Sequence, residues 1–272
     1  WSSDVCSSDL LMKEKLEELG HDVVPSPLCR EADEFSAAVR TMEKAECKVI
    51  VTLHVAYSPS LEAVDALCKT SLPLVVMDTT PDYAFGQDPD SDKQIMANHG
   101  IHGVQDLCTM LLRQGRSFQL EAGPWEQSDV LDRAAAWGYA ARTARVMRSS
   151  RVGLIGKPFP GMGDFYLPAA ELKRRIGIET VSAAPAELAA IPVTEQEIDA
   201  EWACDRLLFP GCQTEPALYR RTARAGLVIR KWMEKNNLSA FTFNFLDIDN
   251  QSGLTAVPFL EASKALSRGI GY

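Results

Sequence analysis

The 272-residue sequence predicts an α/β protein of two doubly wound, parallel-sheet domains. Three observations support this. Continuous apolar runs such as CKVIVTL (47–53), PLVVMD (73–78) and RVGLIG (151–156) have the character of strands buried on both faces of a parallel sheet. Segments of helical periodicity separate them, at the interval a βαβ unit needs. The chain length, with 46% hydrophobic residues, is enough for two cores of ordinary size.

Taken in order, Leu11, Met12, Leu16 and Leu19 recur at helical spacing, and Gly20 stands where a C-terminal glycine ends a helix. His21-Asp22-Val23-Val24 reads as a short strand-like piece, and Phe35, Val39 and Met42 as the apolar stripe of a second helix. After strand 47–53 come a helix over Leu61–Lys69, strand 73–78 and a polar loop from Pro81 to Pro89. Ser91 with Gln94 forms a capping-box pair, which predicts a helix from there to about Arg113. FQLEAG (118–123) is the next strand and Leu131–Met147 the next helix, completing a first domain of flavodoxin-like pattern over 11–149.

The second domain, 150–272, opens on strand 151–156 and the loop KPFPGMGDF. A strand at Ile178–Ser182 follows, then a helix to Leu208 announced by the capping box of Thr194 and Glu197. A long helix over Thr214–Asn236, strand AFTFNF (240–245) and a helix over Val257–Leu266 complete it, giving a second α/β unit of Rossmann-like pattern. A doubly wound sheet normally starts with a central strand, whereas the first element here is a helix, so a first strand is expected to be missing. The serine-rich stretch WSSDVCSSDL (1–10) has neither a period of two nor one of 3.6. It resembles a translated sequencing-library adapter, and residues 1–10 are expected to stand outside the fold.

Net charge is −9, which disfavours a broad nucleic-acid or anionic-membrane surface, since those partners select clustered Lys and Arg. No apolar run reaches the roughly 20 residues of a membrane helix, and the first ten residues lack the pattern of a signal peptide. A cytoplasmic location is expected. Cys29, Cys47, Cys68, Cys108, Cys204 and Cys212 are scattered without a C-x-x-C pair and read as buried reduced thiols; Cys6 lies in the opening stretch.

Three segments are candidates for chemistry. In Asn98-His99-Gly100-Ile101-His102-Gly103-Val104-Gln105-Asp106, His99 and His102 lie three apart with Asp106 a turn further along. A metal pair, a close helix contact at the two glycines, and an imidazole offered to a polar ligand are all open. Leu53-His54-Val55-Ala56-Tyr57-Ser58-Pro59 follows a strand and so falls at its carboxyl end, where open α/β sheets bind ligands. The loop Gly156–Asp164 also follows a strand, but it is neither G-x-G-x-x-G nor G-x-x-x-x-G-K-[ST]. Asp247 and Asp249 read as a solvated turn.

Three stretches together, IVTLHVAYSPSLEAV (50–64), NHGIHGVQDLCTMLLRQGR (98–116) and AFTFNFLDIDNQSGLTAVPFLEASKALSRGIGY (240–272), resemble the L-arabinose/L-fucose isomerase superfamily of metal-dependent aldose–ketose isomerases. The likeness runs from Leu11 to Tyr272 in the family's order. It implies an N-terminal flavodoxin-like domain, a second α/β domain and a C-terminal catalytic domain missing from this sequence, in homotrimers or homohexamers with sites at subunit interfaces. By the same likeness His99, Tyr57, Met162 and Phe245 are substrate-binding. Met96 stands where arabinose isomerases carry a glutamine. The implied chemistry moves a proton between C1 and C2 through an enediol, with Mn²⁺ polarising the oxygens. Its acidic catalytic residues, the first in a Gly-Glu-Gly-Asp motif, and its metal-binding histidines are expected beyond Tyr272, so the isolated chain is expected to be inactive. Two other readings stay open at this point: a non-catalytic sugar-binding or regulatory two-domain protein, and a nucleotide-dependent oxidoreductase using loop 156–163.

Overall fold

The structure, a computed structural model, describes residues 2–80, 82–83, 95, 98–211, 213–249 and 251–272, the side chains from residue 10 onward. The Ser91–Gln94 capping box, Met96, Cys212 and most of the Pro81–Pro89 loop fall outside these residues. The backbone divides into two compact units, Trp1–Arg145 and Val146–Tyr272.

In the first unit, α1 runs Ser2–Glu18 and Gly20, at φ 87°, takes the left-handed conformation that ends it. The helix therefore reaches back through the stretch expected to stand outside the fold. Once the periodic segment from Leu11 is helical, each further residue adds a hydrogen bond without a new nucleation cost. The strand expected at His21–Val24 does not form. His21 and Val23 are half-buried while Asp22 and Val24 are exposed, so the alternation is there, but no described strand lies beside it to pair with.

α2 (Ala32–Lys44) starts where Glu34 accepts hydrogen bonds from the Arg30 and Glu31 amides, at 2.6 and 3.1 Å. Then follow β1 (Ile50–Leu53), α3 (Ser60–Lys69), β2 (Leu74–Asp78), α4 (Gly100–Arg113), β3 (Gln119–Ala122) and α5 (Val130–Ser149). The strands form a parallel sheet in the order β1-β2-β3, with Val51 opposite Val75 and Val75 opposite Gln119. Ile50, Leu74 and Val76 pack on Val39 of α2, Val64 and Leu67 of α3, and Val104, Leu107 and Leu111 of α4. Met77, on the opposite face, packs on Met12 of α1 and on Val130, Leu131 and Ala134 of α5. Helices thus cover both faces, as the unbroken apolar runs require. The start expected at Ser91 lies outside the described residues; Ile95 is helical, and a turn at Asn98 and His99, in which the Asn98 side-chain amide donates to Asp82 at 2.7 Å, directly precedes α4.

The second unit contains β4 (Arg151–Ile155), a short 3₁₀ turn (Gly163–Phe165), α6 (Ala169–Ile176), β5 (Glu179–Ser182), α7 (Pro185–Ala189), α8 (Glu195–Leu208), α9 (Pro216–Asn236), β6 (Ala240–Phe243), a second 3₁₀ turn (Phe245–Asp247) and α10 (Phe259–Ser267). Its parallel sheet has the order β5-β4-β6, and Gly271 bridges to Ala240 at the outer edge of β6. The Thr194–Glu197 capping box forms as predicted. Trp232 of α9 is fully buried against β4, and a side chain at Gly153 would collide with its ring. That strand position must therefore be glycine for the helix to lie this close.

α8, α9 and α10 are joined by ions as well as by apolar contact. Arg230 of α9 bridges Glu201 of α8 at 2.7 Å and Glu261 of α10 at 2.5 Å, while Lys264 of α10 bridges Asp205 at 2.6 Å and Glu201. The Tyr219 hydroxyl donates to Asp205 at 2.7 Å. Arg230 first, then Lys264, hold the Glu201 carboxyl down at a pKa of about 2, against a desolvation that works the other way.

Candidate functional site

Each unit gathers side chains at the carboxyl ends of its strands, the end at which open parallel sheets hold ligands. In the first unit β1 delivers His54 and the loop to Pro59, and α4 delivers His99 as the residue before its first turn. The Tyr57 and His99 rings stand 5.6 Å apart between centroids, and the His99 and His102 rings 4.8 Å. Tyr57 and His102 are exposed and His99 is half-buried. The result is a small ring cluster of two imidazoles and a phenol, partly open to solvent.

The glycines of α4 make this geometry possible. A side chain at Gly100 would run into the His54 carbonyl, and one at Gly103 would lie 3.0 Å from the His54 ring and from the Ser58 amide nitrogen. Of the readings the sequence left open, the close helix contact is therefore realised. Among the described residues His99, His102 and Asp106 do not gather into a group that could hold a metal ion, and Asp106 makes a different contact. Its Oδ2 accepts from the Ser60 amide at 3.0 Å and so caps α3, whose own N-cap residue, Pro59, offers no side-chain acceptor. Beneath the cluster His54 is largely enclosed, and burial pushes its imidazole pKa below the ordinary value, favouring the neutral form. Its Nδ1 is buried without a hydrogen-bond partner. Burial likewise raises the Asp78 carboxyl at the end of β2.

In the second unit the loop after β4 and the turn after β6 meet. Gly156, at φ 87°, brings the Lys157 amide to Asp247 Oδ2 at 2.7 Å, and the Asn244 side-chain amide donates to the Lys157 carbonyl at 2.9 Å. Asp247 is exposed in a turn, as the sequence suggested, and has a further duty there. It is the peg that holds the glycine loop, and the Asn244-x-x-Asp247 spacing directly after a strand was the signal for it. Phe159 packs between Phe165 and Phe245, at centroid distances of 5.8 and 5.2 Å. Phe245 and Met162 are each 47% exposed. The two pairs of expected site residues, Tyr57 with His99 and Met162 with Phe245, belong to different units.

Among the described residues no three His, Cys, Asp or Glu side chains come together to hold a metal ion. The Mn²⁺ that the resemblance implies has no ligand set there. Cys29, Cys47, Cys68 and Cys108 are half-buried unpaired thiols, and burial raises the pKa of Cys29, Cys68 and Cys108, which favours the protonated form. Cys204 corrects the expectation of burial, since it lies on an exposed face of α8. No described helix is long and apolar enough to cross a membrane.

Fold and site together define an α/β protein with aromatic and imidazole groups at its strand ends. No family model matches the chain. The L-arabinose isomerases of Nocardioides sp. and Herpetosiphon aurantiacus are 23% and 24% identical to it over 262 and 259 residues, and that of Thermotoga neapolitana 23% over 247. These alignments cover 92%, 92% and 87% of this chain. The chain spans about half the length of the curated relatives it matches, 51%, 51% and 49%. The chain is thus similar to proteins of the L-arabinose/L-fucose isomerase superfamily.

Proposed function

We propose that the chain supplies pocket walls for an aldose–ketose isomerase acting on a free pentose, hexose or deoxyhexose. The observation that carries this reading is the His99 ring beside Tyr57 at the carboxyl end of β1, in a chain that aligns over 92% of its length with proteins named L-arabinose isomerase. An imidazole both donates and accepts, which suits a sugar hydroxyl, and the Tyr57 face suits the apolar C–H side of the same molecule. Met162 and Phe245 are assigned equivalent duties as pocket residues of the second unit.

The reaction moves the C2 proton to C1 and the hydroxyl proton from O2 to O1, through an enediol. Mn²⁺, when bound, would polarise both oxygens. Its ligands and the acidic residues that move the protons belong to the length of the relatives that this chain does not span. The residues present here bind and orient the sugar, in an assembly of three or six copies in the cytoplasm. The Lys157 amide, which a nucleotide-binding loop would offer to phosphate, is already taken by the Asp247 carboxylate, and that negative charge argues against the oxidoreductase reading.

The test is histidine-detected NMR titration of the chain with L-arabinose, L-fucose and other aldoses, followed by Mn²⁺-dependent aldose-to-ketose assays on a protein extended to the relatives' length. Saturable shifts at His99 and turnover of one aldose are expected. No turnover across the panel would overturn the reading.

A further inference from the structure

We infer that His54 is a positioning residue of this site: its ring and carbonyl form the seat for the first turn of α4, and so fix where His99 and His102 stand beside Tyr57. The inference rests on the reading of His99 and Tyr57 as pocket residues.

Four observations lead to it. Gly100 leaves no room for a side chain over the His54 carbonyl, and Gly103 sits on the edge of the His54 ring. Those two glycines follow His99 and His102 directly, so any shift of the seat is passed to both imidazoles within one residue. Ser58, in the same loop, meets Gly103 as well, and Asp106 binds the Ser60 amide at 3.0 Å, so the 54–60 loop and α4 are joined at three successive points. His54 Nδ1 has no hydrogen-bond partner, so no bond through that nitrogen holds the ring, which leaves packing to orient it. Burial favours the neutral imidazole, and a neutral ring rests against the positive end of a helix without repulsion.

The experiment is ¹³C NMR of the ring ε1 positions in the 272-residue chain, which has four histidines, with backbone fold followed by circular dichroism. In His54→Ala the His99 and His102 signals should move toward their random-coil positions and the Tyr57 ring signals should shift with them. His54→Phe, which keeps a flat ring of similar size, should restore all three. His21→Ala, whose ring packs instead on Tyr139 and Gly138, should leave them in place. Unmoved His99 and His102 signals in a folded His54→Ala chain would overturn the inference, as would a folded His54→Phe chain in which they are displaced. If His54→Ala does not fold, His54→Leu takes its place with the same two outcomes. The readout involves no sugar, so loss of the isomerase reading shows in the aldose titration and turnover assay, and loss of this one in the ring signals of the His54 variants.

Discussion

At the scale of single residues, the seat beneath α4 gives two predictions. Gly100→Ala should destabilise the first unit by about 2 kcal/mol or more, because the added methyl meets a backbone carbonyl that cannot swing away. Urea unfolding followed through that unit would measure it. His54 should make stability depend on pH. Its folded pKa lies below its ordinary value, so the folded state binds fewer protons. Its contribution is fully present above about pH 6.5 and is lost as pH falls through the folded value. Urea midpoints taken from pH 8 to pH 5 should fall more steeply for the native chain than for His54→Phe. The sequence placed His54 in a candidate segment at a strand's carboxyl end but marked no role for the residue itself. Its neighbours in the chain are those of an ordinary strand end, and its enclosure comes from two glycines some 46 residues further on, which only the fold brings to it. His99 and Tyr57 were singled out through the family likeness, but their approach to one another, 5.6 Å between ring centroids, was not foreseen.

At the scale of elements, the charged seam between α8, α9 and α10 is the most exacting feature. Glu201→Ala would leave Arg230 with Glu261 alone and Lys264 with Asp205 alone, and should cost up to about 3 kcal/mol, no more than the lower end for breaking an enclosed pair because each cation keeps one carboxylate. Chemical denaturation at neutral pH would show it. Because the Glu201 carboxyl is held down at about 2, its stabilisation is present above its ordinary pKa and disappears only as pH falls toward 2, so the variant and native chains should converge in strong acid. Elements with strong periodicity or a capping box were legible: the ends of α3, α8 and α9 fall within about two residues of expectation. α6 and α7 were not. They are short, the first buries no residue fully, and Gly177 at φ 82° was a stop signal left unread. His21–Val24 failed for a different reason, since alternation supplies a strand's faces and only a neighbour supplies its hydrogen bonds.

At the scale of the whole molecule, each unit owns its cores: clusters around Val76 and Met77 in the first, and around Trp232 and Ile198 in the second. Scanning calorimetry should therefore resolve two transitions, with Gly100→Ala moving one and Glu201→Ala the other. A single transition displaced equally by both variants would show that the units melt as one. Fold class followed from the βα alternation, which is a property of the whole chain and tolerates errors at any one boundary. The metal chemistry has no such trace here, because among the described residues the side chains it needs are not brought together.

The spacing of Gly100, Gly103 and Asp106 on α4 bears on how this site can change over evolutionary time. The three contacts recur every third residue and all rest on the 54–60 loop. Inserting or deleting one residue between them would turn the rest of the helix by about 100°, lifting a glycine off His54 and the carboxylate off Ser60 together. Substitution at His99, His102 or Tyr57 carries no such penalty. Side chains at the rim can therefore be exchanged, while changes of length are confined to the chain outside the 54–60 loop and the contacting stretch of α4.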